Sequence, residues 1–443
     1  MTTQAATADD TLATPKPSDL PVSDRSRILF YLGALVFILT FGAPGGGLIG
    51  APIFFFLKNR LHMGATQIAL YGLVAAIPSY LAFAPGFVRD LWNPFGLRDR
   101  GYMMLFGGLC ALGYIWFAFI PVTLVSLIAL SIVVGSFWLF AQAGQTGLGA
   151  TIARQHVMSG QMSTVMNVFG SVAVMIPLAA GGYLSDYLEK VPLNQAAREL
   201  FLAGAAIMGL FALFAIWRPK VVYDNVHAET GGETHPLKDV MRLLRHYPVW
   251  PALGIWVLWN FAPGSATPLQ FHLQNTLHAT DAQATLWNVC FGGGFIPTFL
   301  LYGWLCRRVP LRTLLIWGTV VAVPQMVPLL FAKTVPMALV GGVASGLMGG
   351  VATAAYLDLM IRSCPKGLEG TMLMASNALY VVVSQWGNLL GTALYDHFHH
   401  TFTVCVIAIT VVYALILPTL LLVPRRLTAT PDGVAPEGGF DQA

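Results

Sequence analysis

The sequence predicts an all-α polytopic membrane protein with twelve transmembrane helices in two six-helix repeats. Three observations predict it: the composition, the number of apolar segments and a repeat between the two halves of the chain. Hydrophobic residues make up 56% of the 443 residues and charged residues only 10%, whereas a soluble domain carries roughly 25% charge. So few charges cannot cover a water-exposed surface of this size, and lipid must therefore surround most of it.

Twelve apolar segments are long enough to cross a bilayer, which takes about 20 residues. They begin near Ile28, Thr66, Gly101, Thr123, Gln161, Glu199, Val249, Ala282, Leu311, Pro336, Thr371 and Phe402. One long polar connection divides them six and six. We therefore predict a disordered cytoplasmic tail, a six-helix bundle, a cytoplasmic linker, a second six-helix bundle and a disordered tail, with the bounds 1–26, 27–217, 218–248, 249–426 and 427–443.

The linker contains a segment, 236–247, in which apolar and basic residues alternate at helical spacing. This pattern is typical of an amphipathic helix that lies on the membrane surface. A solvated linker helix is the alternative.

Basic residues predict the orientation. If the N-terminus lies inside the cell, 19 of the 24 Lys and Arg residues fall in inside segments. The five outside are Lys58, Arg60, Lys190, Arg198 and Lys333. Because positive charge accumulates on the cytoplasmic side, we predict a multi-pass protein of the inner membrane with both termini in the cytoplasm. The polar N-terminal segment, Met1 to Asp24, does not resemble a cleavable signal peptide.

The composition also argues against several classes of protein. The five cysteines are scattered, without a Cys-x-x-Cys pair or a Cys/His cluster, so neither a metal site nor a disulfide framework is indicated. We expect no cofactor. The apolar segments lack the acid, base and nucleophile of an enzyme, and the net charge of +4 does not indicate a nucleic-acid partner.

The two halves repeat at fixed shifts. At a shift of 216 residues, Pro52, Phe55, Leu57, Asn59, Leu61, His62 and Gln67 match Pro268, Phe271, Leu273, Asn275, Leu277, His278 and Gln283. At a shift of 210 residues, Gly160, Asn167, Gly181, Leu184 and Asp186 match Gly370, Asn377, Gly391, Leu394 and Asp396. Polar residues rarely match at one shift by chance, so we interpret the halves as repeats with a binding site between them.

The first and seventh helices are both interrupted by proline and glycine, at Pro44 and Pro263. Matching breaks in two repeats indicate a binding site, because freed backbone groups can contact a solute. The side chains that we expect to line this site are Asn260, Gln385, Gln142, Gln145, Trp287 and Tyr80. The alternatives are packing kinks for the breaks, bonds between helices for the amides and ordinary packing for the aromatic rings.

Asp358 is the only carboxylate well inside an apolar segment, and it lies one turn before Arg362. Carboxylates in membrane helices are usually functional, which makes Asp358 a candidate for proton coupling or gating. A structural ion pair between residues i and i+4 is the alternative.

The loop after the second helix has a glycine, Gly86, an aspartate four residues later, Asp90, and then a basic cluster. This spacing resembles the signature loop of the major facilitator superfamily. The resemblance implies that Asp90 contacts the positive N-terminal end of the eleventh helix and latches the two halves together; topology anchoring is the alternative. The residues that we assign to gating are Gly86, Asp90, Arg98, Arg100, Glu369 and Gly370.

The run Cys364-Pro365-x-Gly367-x-Glu369-Gly370-Thr371 is followed by Asn377. It resembles the segment before the eleventh helix in the folate–biopterin transporter family, and the muropeptide permease family is a neighbouring resemblance. The resemblance implies a monomeric secondary active transporter that moves a small pterin- or folate-like solute by alternating access, as a proton symporter or as a facilitator. The alternatives are a muropeptide or sugar-type permease and a non-transporting receptor with the same fold.

Overall fold

The computed structural model describes residues 21–63, 65–223, 236–399 and 401–434, and every regular element in these ranges is helical. A bilayer requires this because backbone groups in lipid must be bonded within the segment. The helices of the N-terminal half are α1 (Val22–Phe41), α2 (Gly47–Phe55), α3 (Ala65–Ala75), α4 (Ile77–Tyr80), α5 (Phe83–Leu91), α6 (Asp99–Ala118), α7 (Leu124–Gln155), α8 (Ser159–Glu189) and α9 (Leu193–Ile216).

The linker forms α10 (Lys220–Tyr223) and α11 (Pro236–Arg245). The side chains of Met241 and Leu244 in α11 are about half exposed. The helices of the C-terminal half are α12 (Val249–Asn260), α13 (Thr267–Phe271), α14 (Asp281–Leu305), α15 (Leu311–Ala322), α16 (Val335–Ser363), α17 (Glu369–His397), α18 (Phe402–Ala414), α19 (Ile416–Thr419) and α20 (Arg425–Thr428).

Eight of the described segments are long and apolar enough to cross a membrane on their own. Four further crossings complete the predicted set of twelve. Three of them are interrupted and consist of α1 with α2, α3 to α5, and α12 with α13. The fourth is α17, which has 29 residues but carries several amide side chains. The all-helical membrane architecture predicted from the sequence is confirmed.

The internal repeat extends to irregular backbone. A π-helical turn at Phe56–Arg60 follows α2, and another at His272–Thr276 follows α13, at the shift of 216 residues seen in the sequence. Each turn leads to a histidine with positive φ, 51° at His62 and 56° at His278. Such backbone is rare outside glycine, so its recurrence at one shift shows two copies of one structural unit.

The most extensive contacts between the halves are those of α5 with α17 and of α8 with α14. Glycines permit the close approach. A Cβ atom on Gly86 would lie 2.5 Å from the carbonyl oxygen of Gly370, and one on Gly160 would lie 2.8 Å from the Cβ of Cys306. Only residues without a side chain fit at these two crossings.

The C-terminal segment differs from its prediction. Residues 427–434 fall in the tail predicted to be disordered, yet Leu427, Thr428 and Asp432 are buried. The segment is ordered because its polar groups bond to both halves, as described below. Residues 1–20 and 435–443 of the predicted tails lie outside the described residues, and α1 begins at Val22, inside the range 1–26.

Candidate functional site at the basic end of the bundle

The two halves meet at the end of the bundle that carries Arg89, Arg154 and Arg362, here called the basic end. Residues 157–163 at the start of α8 and 368–374 at the start of α17 are buried without interruption. A helix at the edge of a bundle buries one stripe of its surface. Continuous burial therefore shows that the starts of both helices are enclosed on every side, and the packing of α5 on α17 and of α8 on α14 shows that the opposite half contributes to this enclosure. The basic end is thus closed.

Asp90, at the end of α5, binds the first turn of α17 in the opposite half. Its Oδ2 accepts hydrogen bonds from the backbone N–H of Thr371 at 2.7 Å and from Thr371 Oγ1 at 2.6 Å. The Arg89 guanidinium bonds Asp90 Oδ1 at 2.6 Å and also bonds Asp99, at the start of α6. The carboxylate satisfies an N–H group that a helix start leaves free, and it lies at the positive end of the helix dipole.

Glycines admit this cluster into the interface. A Cβ on Gly370 would lie 2.8 Å from Asp90 Oδ1, and one on Gly147 of α7 would overlap the Arg89 guanidinium. The sequence assigned Gly86 and Gly370 to this region, whereas Gly147 was not predicted because an isolated glycine within a long helix carries no signal of its own.

A second ion pair lies beside the first cluster. Arg154, near the end of α7, contacts Glu369, the first residue of α17, at 3.0 Å, and both side chains are less than a tenth exposed.

Further into the bundle, a small apolar layer closes the gap between halves. Its members are Ala82, Leu139, Ala143, Met374 and Ala378.

Asp358 and Arg362 form the ion pair that their spacing predicts. Arg362 Nε lies 2.9 Å from Asp358 Oδ1, and Tyr302 of α14 donates to Asp358 Oδ2 at 2.7 Å. Arg362 Nε also bonds Ser159 Oγ, the first residue of α8, at 3.0 Å. The pair therefore belongs to the contact between halves, and Asp358 is fully buried in it.

The break in the first span, between α1 and α2, accepts hydrogen bonds from side chains of neighbouring helices. Tyr114 of α6 donates to the carbonyl of Gly42 at 3.0 Å, and Trp138 of α7 donates to that of Leu39 at 2.8 Å. Pro44 itself is buried. Two carbonyls freed by the break are thus satisfied within the N-terminal half.

The break in the seventh span, between α12 and α13, packs against α17. Asn388 accepts from the N–H of Thr267 at 3.0 Å and donates to Thr267 Oγ1 at 3.1 Å. Pro263 is buried, and Asn260 is half-buried and donates to the carbonyl of Trp256 at 2.8 Å. Asn388 was not predicted, although it lies three residues after Gln385 on the same helix.

The remaining predicted ligand contacts fall in different environments. Gln385 is exposed and Tyr80 is half-buried. Gln142 Oε1 and Gln145 Nε2, one turn apart on α7, are buried without a hydrogen-bond partner among the described residues. Such atoms are costly unless a ligand or a solvent molecule satisfies them.

Trp287 corrects the prediction. Its side chain is 2% exposed, stacks on Phe291 with ring centroids 5.1 Å apart and packs against Gly342 of α16. It fills the core of the C-terminal half and does not line a cavity between halves. Sequence alone does not separate these environments, because helical spacing does not show which face of a helix meets its own bundle.

Two of the predicted gating residues lie away from the contact between halves. Arg98 is exposed, and its backbone N–H bonds the Asn93 side chain. Arg100 donates to the carbonyls of Ala215 and Ile216 at 2.9 and 2.6 Å. It therefore caps the C-terminal end of α9 within its own half.

Comparisons with known proteins agree with this architecture. The family model described as Major Facilitator Superfamily matches residues 260–439. No curated protein matches the chain significantly by sequence. Among solved structures, the MFS proton:xylose symporter XylE bound to 6-bromo-6-deoxy-D-glucose is similar with a TM-score of 0.65 at 12% identity, over 92% of this chain and 98% of that chain. The chain therefore shares the fold of this solved structure, and the Major Facilitator Superfamily model matches much of its C-terminal half.

Proposed function

We propose that the chain is a secondary transporter that moves a small, uncharged organic solute across the inner membrane by alternating access. The observation that carries this proposal is closure at the basic end by polar contacts between two repeated halves. Asp90 with Thr371, and Arg154 with Glu369, cross from one half to the other. Contacts of this kind can break when the halves rotate, whereas an apolar core within one half stays intact.

The basic end faces the cytoplasm in this proposal. Nineteen of the 24 basic residues lie in segments assigned to that side, and positive charge marks the cytoplasmic face of membrane proteins. Both termini are then cytoplasmic, the protein works as a monomer, and the structure represents a state closed to the cytoplasm.

The charge pattern favours an uncharged solute. Every Asp, Glu, Lys and Arg of the twelve spans lies within two turns of a helix end. A charged solute at the centre would meet no opposite charge, and burying an unpaired charge costs several kcal/mol. Neutral hydrogen-bonding side chains, such as Asn260, Gln385 and Gln142, suit a polar solute without net charge.

A pterin ring fits this requirement better than folate, whose glutamate part is anionic. A neutral sugar fits it equally well, and a muropeptide, which carries carboxylates, fits it less well. The resemblance of the run 364–371 to folate–biopterin transporters favours the pterin as the first solute to test.

Proton coupling, where present, acts through the gate in this proposal. Asp358 is paired with Arg362 and receives a hydrogen bond from Tyr302. Arg362 also bonds Ser159 Oγ in the N-terminal half, so a change in the Asp358–Arg362 pair would act on a contact between the halves. A facilitator without coupling is the alternative.

Uptake into proteoliposomes tests the proposal. Purified protein is reconstituted, and saturable uptake is compared for biopterin, xylose, folate and an anhydro-muropeptide, with empty liposomes as control. We expect saturable uptake of a neutral member of this panel. A proton gradient, with and without an uncoupler, then separates a symporter from a facilitator.

Two results would contradict the proposal. Saturable uptake confined to the anionic solutes would exclude the substrate class. Tight binding of a solute without any flux in either direction would favour the receptor alternative.

A further inference from the structure

The two latches at the basic end are related by the internal repeat. At the shift of 210 residues, Gly370 and Thr371 at the start of α17 correspond to Gly160 and Gln161 at the start of α8. The start of α17 binds the carboxylate of Asp90. At the shift of 216 residues, the position of Asp90 corresponds to Cys306. The C-terminal half therefore lacks the carboxylate that would bind the start of α8.

Asp432 in the C-terminal segment supplies the missing carboxylate. Its Oδ1 accepts from the N–H of Gly160 at 3.1 Å. Its Oδ2 accepts from the N–H of Gln161 at 3.2 Å and from Gln161 Nε2 at 2.9 Å. Cys306 Sγ lies 4.0 Å from the same oxygen. The Asp432 carboxylate thus contacts the N–H of Gln161, as Asp90 contacts the N–H of Thr371.

The same segment also holds the C-terminal half. The backbone N–H of Asp432 donates to the carbonyl of Cys306 at 2.8 Å. Arg362 Nη1 donates to the carbonyls of Leu427 and Thr430 at 3.3 and 3.0 Å. On the other side, the N–H of Gly433 donates to the carbonyl of Val157 in the N-terminal half at 2.7 Å.

Gly433 makes the last of these contacts with φ at +91°, a conformation that residues with a side chain rarely adopt. The residue that permits this turn therefore stands next to the carboxylate that the turn positions. Asp432 itself is 5% exposed.

We propose that residues 427–433 form a strap that replaces the second latch and holds the basic end closed, with Asp432 as its anchor. Separation of α8 from α14 and α16 breaks the strap's bonds to one half or the other. The strap must therefore leave its site when the basic end opens, and its release is a point at which the chain can regulate that opening.

Native cysteines report the test without any substrate. Cys306 lies beneath the strap, whereas Cys364 lies beside the Arg154–Glu369 ion pair; both are at most 2% exposed. The full-length protein is treated with N-ethylmaleimide, and peptide mass spectrometry measures the alkylation rate of each cysteine. Cys110, buried in the core of the N-terminal half, reports unfolding.

The variants are Asp432→Asn and, as a matched control, Thr430→Val. The amide nitrogen that replaces one carboxylate oxygen in Asp432→Asn cannot accept the donated N–H groups, whereas Thr430 Oγ1 is buried without a hydrogen-bond partner among the described residues. We expect Asp432→Asn to raise the alkylation rates of both Cys306 and Cys364 roughly ten-fold and to leave the alkylation rate of Cys110 unchanged. Thr430→Val should behave as the parent protein.

Two results would overturn the proposal. One is parental rates at both cysteines in Asp432→Asn. The other is acceleration of Cys306 alone, which would mean that the segment covers the surface without holding the halves. If the alkylation rate of Cys110 also rises, the Asp432→Asn protein is unfolding. Gln161→Ala, which removes one donor to Asp432, then replaces it as the test variant, and the same changes in the Cys306 and Cys364 rates support or overturn the proposal. The readout is opening of the basic end, so it is independent of whether the chain transports a solute.

Discussion

The carboxylate of Asp90 and the first turn of the helix that contains Thr371 belong to different halves of the molecule, yet two hydrogen bonds of 2.6 and 2.7 Å join them. The Asp90 side chain is 1% exposed, so water competes little for these bonds. Helix α17 is therefore capped by the opposite half, and Asp90 satisfies the N–H group of Thr371 while the basic end is closed.

Asp90→Asn should weaken this closure. The amide keeps the size of the side chain but loses the charge that Arg89 and the helix start stabilise, and bonds to charged groups contribute about 1.5–3 kcal/mol. We expect Cys364 to react with N-ethylmaleimide roughly ten-fold faster, and transport turnover to fall more than solute affinity. Asp24→Asn, which alters a surface pair of 4.0 Å with Arg27, is the control. Unchanged Cys364 reactivity and unchanged transport in Asp90→Asn would show that the latch is dispensable.

Gly86→Ala should have a similar effect through sterics alone. The added Cβ would lie 2.5 Å from the Gly370 carbonyl oxygen, so α5 and α17 must move apart. We expect faster alkylation of Cys364 and a lower melting temperature. Gly108→Ala adds the same group to α6, where no other described side chain or helix lies within 4 Å of the new Cβ. It should leave the Cys364 alkylation rate unchanged and leave the melting temperature unchanged or slightly higher. Equal behaviour of the two variants would argue against a tight crossing at Gly86.

Asn260→Leu and Gln385→Leu test the solute site. A lost hydrogen bond to a neutral ligand in a buried site costs about 1–3 kcal/mol, which corresponds to roughly ten- to hundred-fold weaker binding. Equilibrium binding of the solute identified by uptake measures the change, with the melting temperature as the folding control. Unaltered binding isotherms for both folded variants would move the site away from these side chains.

Trp287→Phe should separate packing from binding. Because Trp287 is buried inside the C-terminal half, the smaller ring leaves a void and lowers stability by about 1–3 kcal/mol. The melting temperature should fall while solute affinity stays at the parental value. A large loss of affinity without loss of stability would return Trp287 to the solute site.

The strap should respond to pH. Burial, followed by the nearby Asp358 carboxylate, raises the pKa of Asp432 from 3.8 to about 6. Asp358, Arg362, Cys306 and the donors of Gly160 and Gln161 face this group.

Asp432 holds its proton more tightly in the folded protein than in the unfolded chain. Proton binding at Asp432 therefore stabilises the folded state fully below about pH 4, and this contribution is lost as the pH rises through about 6. We expect the difference in stability between the parent protein and Asp432→Asn to be about 1 kcal/mol larger at pH 5 than at pH 8. Thermal unfolding across this range measures it. A difference that is constant, or that grows with pH, would contradict the assignment.

The sequence by itself determined the membrane class, the number of spans and the internal repeat. These follow from properties that each segment carries alone: its apolar length, its flanking charge and its polar residues at one shift. The expectation that Asp90 would meet the start of the eleventh helix, which is α17, came from the resemblance of its loop to the signature loop of the major facilitator superfamily. The i, i+4 pair of Asp358 and Arg362 was equally local.

Only the tertiary structure decided which side chains meet across the two halves. Arg154 and Glu369, which join the halves, are far apart in the chain, and no local pattern connects them. The same holds within the N-terminal half for Arg89 and Gly147. Trp287 and Arg100 were misplaced because composition does not show which face of a helix turns toward its own half. Asp432 was missed for the same reason: a polar, glycine-containing tail resembles a disordered one until the folded halves present the N–H groups and the carbonyls that bind it.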